Sequence, residues 1–174
     1  TSSLVRALQT AEVIAARLAK PVIVHEGLEE ADFYFWDELP SRWESPLAGW
    51  DHDWQPSPDT APLYSSFRAR LRDSLVRLLE TYAGQTVIAV THGGAMGTII
   101  RSLFGGHRVA VHTENTGISQ LTWDVDHWRL VFHNSTVHLE TGGSPAAPSA
   151  RPAAAASGAG LANAAAIPGG EGGG

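Results

Sequence analysis

Leu4, Ala7, Leu8, Ala11, Val13, Ile14 and Leu18 recur at the spacing of a helix face, which predicts a helix over residues 3–20 that Pro21 ends. The β-branched run Val22-Ile23-Val24 predicts a short strand. Residues 31–59 have no clean period and are rich in Trp, Pro, Asp and Ser, as expected of an irregular excursion with short helical turns that covers a site. From residue 62 to 82, Phe67, Leu71, Leu75, Leu78 and Leu79 share one face, and this is the longest predicted helix. Gly84 ends it. Thr86-Val87-Ile88-Ala89-Val90 then reads as a strand buried on both faces, and helical spacing returns over residues 95–104. Residues 118–124 and 128–132 predict two strands joined through Val125-Asp126-His127 as a hairpin at a sheet edge. Helices alternating with apolar strands point to an α/β protein, a sandwich around a mostly parallel sheet.

After Glu140 large apolar residues almost vanish. Residues 142–174 are mostly Ala, Gly, Pro and Ser, which cannot offset their own ordering entropy, so the expected organisation is a folded domain over 1–141 and a disordered tail over 142–174. The six tryptophans and 43% hydrophobic content suit a globular body. A net charge of −6 disfavours electrostatic binding to nucleic acid or anionic lipid, while a small phosphorylated metabolite needs only a local cationic pocket. The absence of cysteine removes disulfides, thiolate metal sites and a cysteine nucleophile. No apolar run approaches a bilayer span and Thr1-Ser2-Ser3-Leu4-Val5-Arg6 lacks a signal-peptide layout, so the expected location is the cytoplasm.

The candidate chemistry starts at Thr91-His92-Gly93-Gly94, between a predicted strand and a predicted helix. In open α/β sheets ligands settle beyond the carboxyl ends of strands, where helix N-termini point free N–H groups outward. Two glycines remove side-chain bulk from that approach. A histidine that merely caps the strand fits the same tripeptide equally well.

Further segments change that balance. Residues Ser2-Ser3-Leu4-Val5-Arg6-Ala7-Leu8-Gln9-Thr10-Ala11-Glu12, Leu28-Glu29-Glu30-Ala31-Asp32-Phe33, Val87-Ile88-Ala89-Val90-Thr91-His92-Gly93-Gly94, Asn115-Thr116-Gly117-Ile118-Ser119 and His133-Asn134-Ser135-Thr136-Val137-His138-Leu139 stand in the order of five motifs. Together they resemble the histidine phosphatase (phosphoglycerate mutase-like) superfamily, branch 1, over about residues 1–140. That resemblance implies a three-layer α/β/α sandwich and phosphomonoester hydrolysis through a phosphohistidine, with no cofactor and no metal. It also implies residue roles. Arg6 would grip phosphate oxygens, Glu30 would act as general acid and then base with Glu29 as its neighbour and competitor, His92 would donate to non-bridging oxygens, and the Gly93 amide would assist.

The family's nucleophile is a histidine in an Arg-His-Gly motif, and the 174 residues contain none; Gly106-His107-Arg108 has related letters in the wrong order and setting. The expectation is therefore a chain that lacks the family's first strand and first helix and is itself inactive. Tyr34-Phe35-Trp36-Asp37-Glu38 also departs from the family's Gly-x-Trp-x-Gly, which affects substrate identity more than reaction type. A phosphoglycerate mutase and a non-catalytic binder of phosphate esters or protein are the alternatives. A serine hydrolase is disfavoured because no Gly-x-Ser-x-Gly elbow accompanies the His-Gly-Gly. Asp51-His52-Asp53, His107 with His112, and His133 with His138 read as structural or solvated, Trp43, Trp50 and Trp54 as packing anchors, and Arg68, Arg70, Arg72 and Arg77 as a solvated helix face.

Overall fold

A computed structural model describes residues 1–39, 54–124 and 126–140. The chain divides into two compact units, Thr1–His138 and Leu139–Gly174, and the elements below belong to the first. Asp51-His52-Asp53, Trp43, Trp50 and the predicted tail at 142–174 lie outside the described residues.

Helix α1 spans Val5–Leu18 and buries Ala7 and Ala11, one turn apart on the face the sequence pattern marks. It ends in a left-handed residue, Ala19, with the Lys20 N–H bonding back to the Ala15 carbonyl, and Pro21 two positions later forbids continuation. Helix α2, Pro62–Thr81, starts with proline at its first position, where the missing N–H costs nothing. Its buried positions are Tyr64, Phe67, Leu71 and Ser74, so the inward face sits nearer the N-terminus than expected, and Leu79 is exposed. The carboxylate of Glu38, just after a 3₁₀ turn at Phe35–Asp37, accepts the N–H groups of Leu63 and Tyr64 at 3.2 and 2.6 Å. It does for α2 what a local capping side chain does for other helices. Helix α3, Gly93–Phe104, begins two residues before the predicted start and packs on α2.

The core lies between α2, α3 and the segment leading to residue 39. Phe35 stacks on Tyr64 and Phe67 at ring-centroid distances of 5.8 and 6.2 Å, and Leu39, Ala61, Leu71 and Ala95 complete the cluster. Arg101 is buried inside it. Its guanidinium lies over Phe35, Trp36 and Tyr64 at 5.2–5.9 Å and donates to the hydroxyls of Tyr64 and Thr98.

The sheet departs from expectation. Among the described residues the hydrogen-bonded ladder is a two-stranded antiparallel hairpin, β1 (Ile118–Asp124) with β2 (His127–Ser135). That hairpin matches the sequence reading; the mostly parallel sheet does not appear. Val22-Ile23-Val24 and residues 86–90 form no ladder, and Ile23, Val24, Val87 and Ile88 are 43–56% exposed rather than buried on both faces. The physical reason is a slot of about 490 Å³ between the two segments, lined by apolar side chains that include Ile14, Leu18, Val22, Leu78 and Val87. Thr1 lines it too. The Thr1 backbone nitrogen donates to the Ile23 carbonyl and the Thr1 carbonyl accepts from His25, as in one rung of a parallel pair, while the Ser2 N–H donates to the Val90 carbonyl. Each wall thus reaches one shared rung and no more.

Candidate functional site

That rung fixes the site, because Ser2 leads directly into α1 and Val90 leads directly to His92. Ser2 is fully buried, and its Oγ lies 2.8 Å from His92 Nε2. In the first turn of α1, the exposed Arg6 side chain donates from Nε to His92 Nδ1 at 3.2 Å. Residues separated by about 90 positions in sequence therefore hold the two nitrogens of one imidazole. Among the described residues no carboxylate pairs with Arg6, which leaves the terminal fork of its guanidinium available.

His92 is the N-cap residue of α3, with extended backbone at φ −134° and ψ 163°. Gly93, exposed, and Gly94 form the first turn, whose amides carry the partial positive charge of a helix start. Glu30 meets that turn: its Oε2 accepts the Gly94 N–H at 2.8 Å, and its Oε1 accepts the Ala31 N–H at 3.1 Å. Glycine lets the carboxylate approach at position 94, since a Cβ there would lie 2.5 Å from Glu30 Oε1 and 3.1 Å from Phe35 Cε1 and would force Glu30 to retreat.

The two adjacent glutamates have different surroundings. Glu29 receives Ser3 Oγ at 2.9 Å and the Gly27 N–H at 2.7 Å, and pairs with Arg70 at 3.0 Å. Burial pushes its carboxyl pKa up, and hydrogen bonds from the backbone and Ser3 outweigh this and lower it. Glu30 reaches the glycine turn instead. Arg70 also donates to the carbonyls of Glu29 and Glu30, and Arg77 to that of Glu26, so these two arginines brace the acidic segment rather than forming the solvated face read from the sequence. Thr91 Oγ1 closes the same segment onto the histidine loop by donating to the Leu28 carbonyl at 2.7 Å.

Burial lowers the His92 pKa first, the Arg6 charge lowers it further, and Glu30 and Glu29 oppose both. The Arg6 N–H aimed at Nδ1 calls for the neutral ring, in the same direction as the lowered pKa. Arginine has no acceptor atom, so Nδ1 must be the lone-pair nitrogen and the ring proton sits on Nε2, facing Ser2. His92 thus has no donor left over in this arrangement.

Of the sequence-derived candidates, the structure brings Arg6 to His92 directly and Glu30 to the glycine turn that His92 starts. Gly93 offers an open approach, since a Cβ there would touch only Thr113 at 3.8 Å. Ser2 opens the first of the five motifs but was given no site role, because nothing in its local sequence points to a partner about 90 positions away. His107 is buried under Trp54 and Tyr64, and His133 bonds Ser119 and the His112 carbonyl, so both serve packing as read. Among the described residues no cluster of three metal-ligating side chains occurs, and no helix is long and apolar enough to cross a membrane.

Comparison with known proteins adds two findings. A family model described as histidine phosphatase superfamily (branch 1) matches residues 1–136. An "Uncharacterized phosphatase PhoE" of Bacillus subtilis (strain 168) is 26% identical over 141 residues, covering 80% of this chain and 70% of its own length. No solved structure matches.

Proposed function

This chain belongs to the histidine phosphatase superfamily, branch 1, and we propose that residues 1–140 carry the phosphoryl-binding half of a phosphomonoesterase site for a small phosphorylated metabolite. The observation that carries this reading is the Arg6–His92 contact at 3.2 Å beside the exposed first turn of α3. A guanidinium fork and the Gly93 amide of an exposed helix start are donors of the kind a tetrahedral dianion requires, and they lie beside the His92 ring. In this reading Arg6 turns its planar fork onto two phosphate oxygens, the Gly93 amide takes a third, and His92 stabilises the charge on the transferring group.

Glu30, rather than Glu29, is the general acid in this scheme. Glu29 is committed to Arg70, Ser3 and Gly27, whereas Glu30 stands on the glycine turn that starts at His92. Where a nucleophilic imidazole is supplied to take the phosphoryl group, the Glu30 carboxylic acid would protonate the leaving oxygen and its carboxylate would then activate the water that cleaves the phosphorus–nitrogen bond. The nucleophilic imidazole is not supplied by His92, whose two nitrogens face Ser2 and Arg6. With no Arg-His-Gly in the sequence, these 174 residues bind phosphate esters without turning them over. Hydrolysis is favoured over mutase chemistry by the relative whose printed name is a phosphatase.

The test pairs equilibrium binding of inorganic phosphate with phosphate release from 4-nitrophenyl phosphate. The expected result is saturable binding with no release. Release above the uncatalysed rate overturns the non-catalytic part, and absence of binding overturns the phosphoryl site.

A further inference from the structure

The donor count at His92 has a consequence for how an anion enters, and it rests on the phosphoryl-site reading above. Nδ1 is an acceptor engaged by Arg6 Nε at 3.2 Å, and Nε2–H is a donor engaged by Ser2 Oγ at 2.8 Å. An oxyanion brought to Arg6 meets the Nδ1 lone pair, and two acceptors cannot share a hydrogen bond. The Arg6 N–H can transfer from Nδ1 to the anion, but the exposed nitrogen then needs a proton of its own.

The other nitrogen is not free to exchange roles cheaply. Ser2 is fully buried, its backbone N–H is tied to Val90 at 3.1 Å, and its hydroxyl oxygen lies against Nε2. We propose that Ser2 is a positioning residue for His92, holding Nε2–H in place so that oxyanion binding takes up one proton from solvent at Nδ1. The bound state is then an imidazolium donating from Nδ1 to the anion and from Nε2 to Ser2. The charged groups around the ring are Arg6 on α1 and Glu29 and Glu30 on the acidic segment, and the two carboxylates together with a bound dianion favour the charged ring over the opposing Arg6. The neutral resting ring leaves the proton to be acquired on binding.

Inorganic sulfate is the probe, because its charge does not change between pH 5 and 8. Two readouts are taken on the full chain. Imidazole ¹⁵N spectra should show His92 with a bare Nδ1 in the absence of sulfate and with both nitrogens protonated at saturation. Calorimetry in buffers of different ionisation enthalpy should show uptake of one proton per sulfate, with affinity falling about tenfold per pH unit above the His92 pKa. Ser2→Ala should weaken sulfate binding and flatten that pH dependence, and Ser2→Thr, which keeps the hydroxyl, should restore the slope. The wild-type spectra decide the matter even if Ser2→Ala fails to fold. Sulfate bound with His92 still neutral, or a proton moved from Nε2 to Nδ1 with no uptake, overturns the Ser2 proposal and leaves the phosphoryl site standing. No sulfate-induced change at Arg6, His92 or Gly93 overturns the phosphoryl site and this inference with it.

Discussion

Replacing Gly94 with alanine separates a glycine required by its surroundings from one that is merely present. The added Cβ would lie 2.5 Å from Glu30 Oε1, 3.0 Å from its Cδ and 3.1 Å from Phe35 Cε1. Comfortable contacts are about 3.5 Å or more, so the carboxylate must retreat by about 1 Å. The Phe35 ring cannot yield equally, being buried against Tyr64 and Phe67. That retreat breaks the 2.8 Å bond from the Gly94 N–H and strains the 3.1 Å bond from Ala31. A hydrogen bond to a charged acceptor contributes about 1.5–3 kcal/mol. Alanine returns up to about 1 kcal/mol of helix propensity, less in a first turn than in an interior. The expected net loss for Gly94→Ala is about 1–2 kcal/mol, or a fall of about 3–8 °C in Tm for a folded unit of this size. Gly93→Ala is the control, because its Cβ meets only Thr113 at an ordinary 3.8 Å, and it should change Tm by no more than about 1–2 °C. Thermal unfolding followed by circular dichroism reads both. Equal melting temperatures for the two variants would refute the placement of Glu30 on the glycine turn, and a Glu30→Ala background should remove most of the Gly94→Ala penalty.

Three further outcomes follow from packing and titration. Glu38→Ala removes the carboxylate that caps α2 at Leu63 and Tyr64, and urea denaturation should show a loss of about 1–2 kcal/mol. The His107 pKa is lowered to about 4, by burial first and then by Arg68 and Arg101, so the folded chain holds fewer protons than the unfolded one below pH 6.5. Stability present above pH 6.5 is lost as pH falls towards 4, by about 2 kcal/mol between pH 7.5 and 5, and a His107→Phe variant should lack that part of the slope in paired urea titrations. Ala19→Gly relieves a left-handed residue at the end of α1 and should raise Tm, corresponding to about 0.5–1 kcal/mol; a lowered Tm would show that the Ala19 conformation is not the one described.

The helices were legible because each has a periodic apolar face, with Pro21 closing α1; α2 ends at Thr81 with Tyr82 as its cap, before the expected stop at Gly84. The β1–β2 hairpin was legible for the same local reason. The sheet was not, since pairing depends on what stands beside Val22–Val24 and residues 86–90, and composition carries no record of a neighbour. Arg6, Glu30, His92 and Gly93 were found through motif order, and geometry joins the first of them to the third. The division between Glu29 and Glu30 was illegible in adjacent identical letters; it rests on Arg70, 41 positions away from Glu29. Ser2 was illegible for a similar reason, because its one side-chain partner is 90 positions distant.

A double-mutant cycle on inorganic phosphate affinity with Arg6→Gln and His92→Gln measures whether these two side chains act on one anion. Each single variant should bind roughly 10- to 100-fold more weakly, and the double variant should be little worse than either, with a coupling of at least about 1 kcal/mol. Full-strength phosphate binding in either single variant, or losses that simply add, would contradict a shared phosphoryl site.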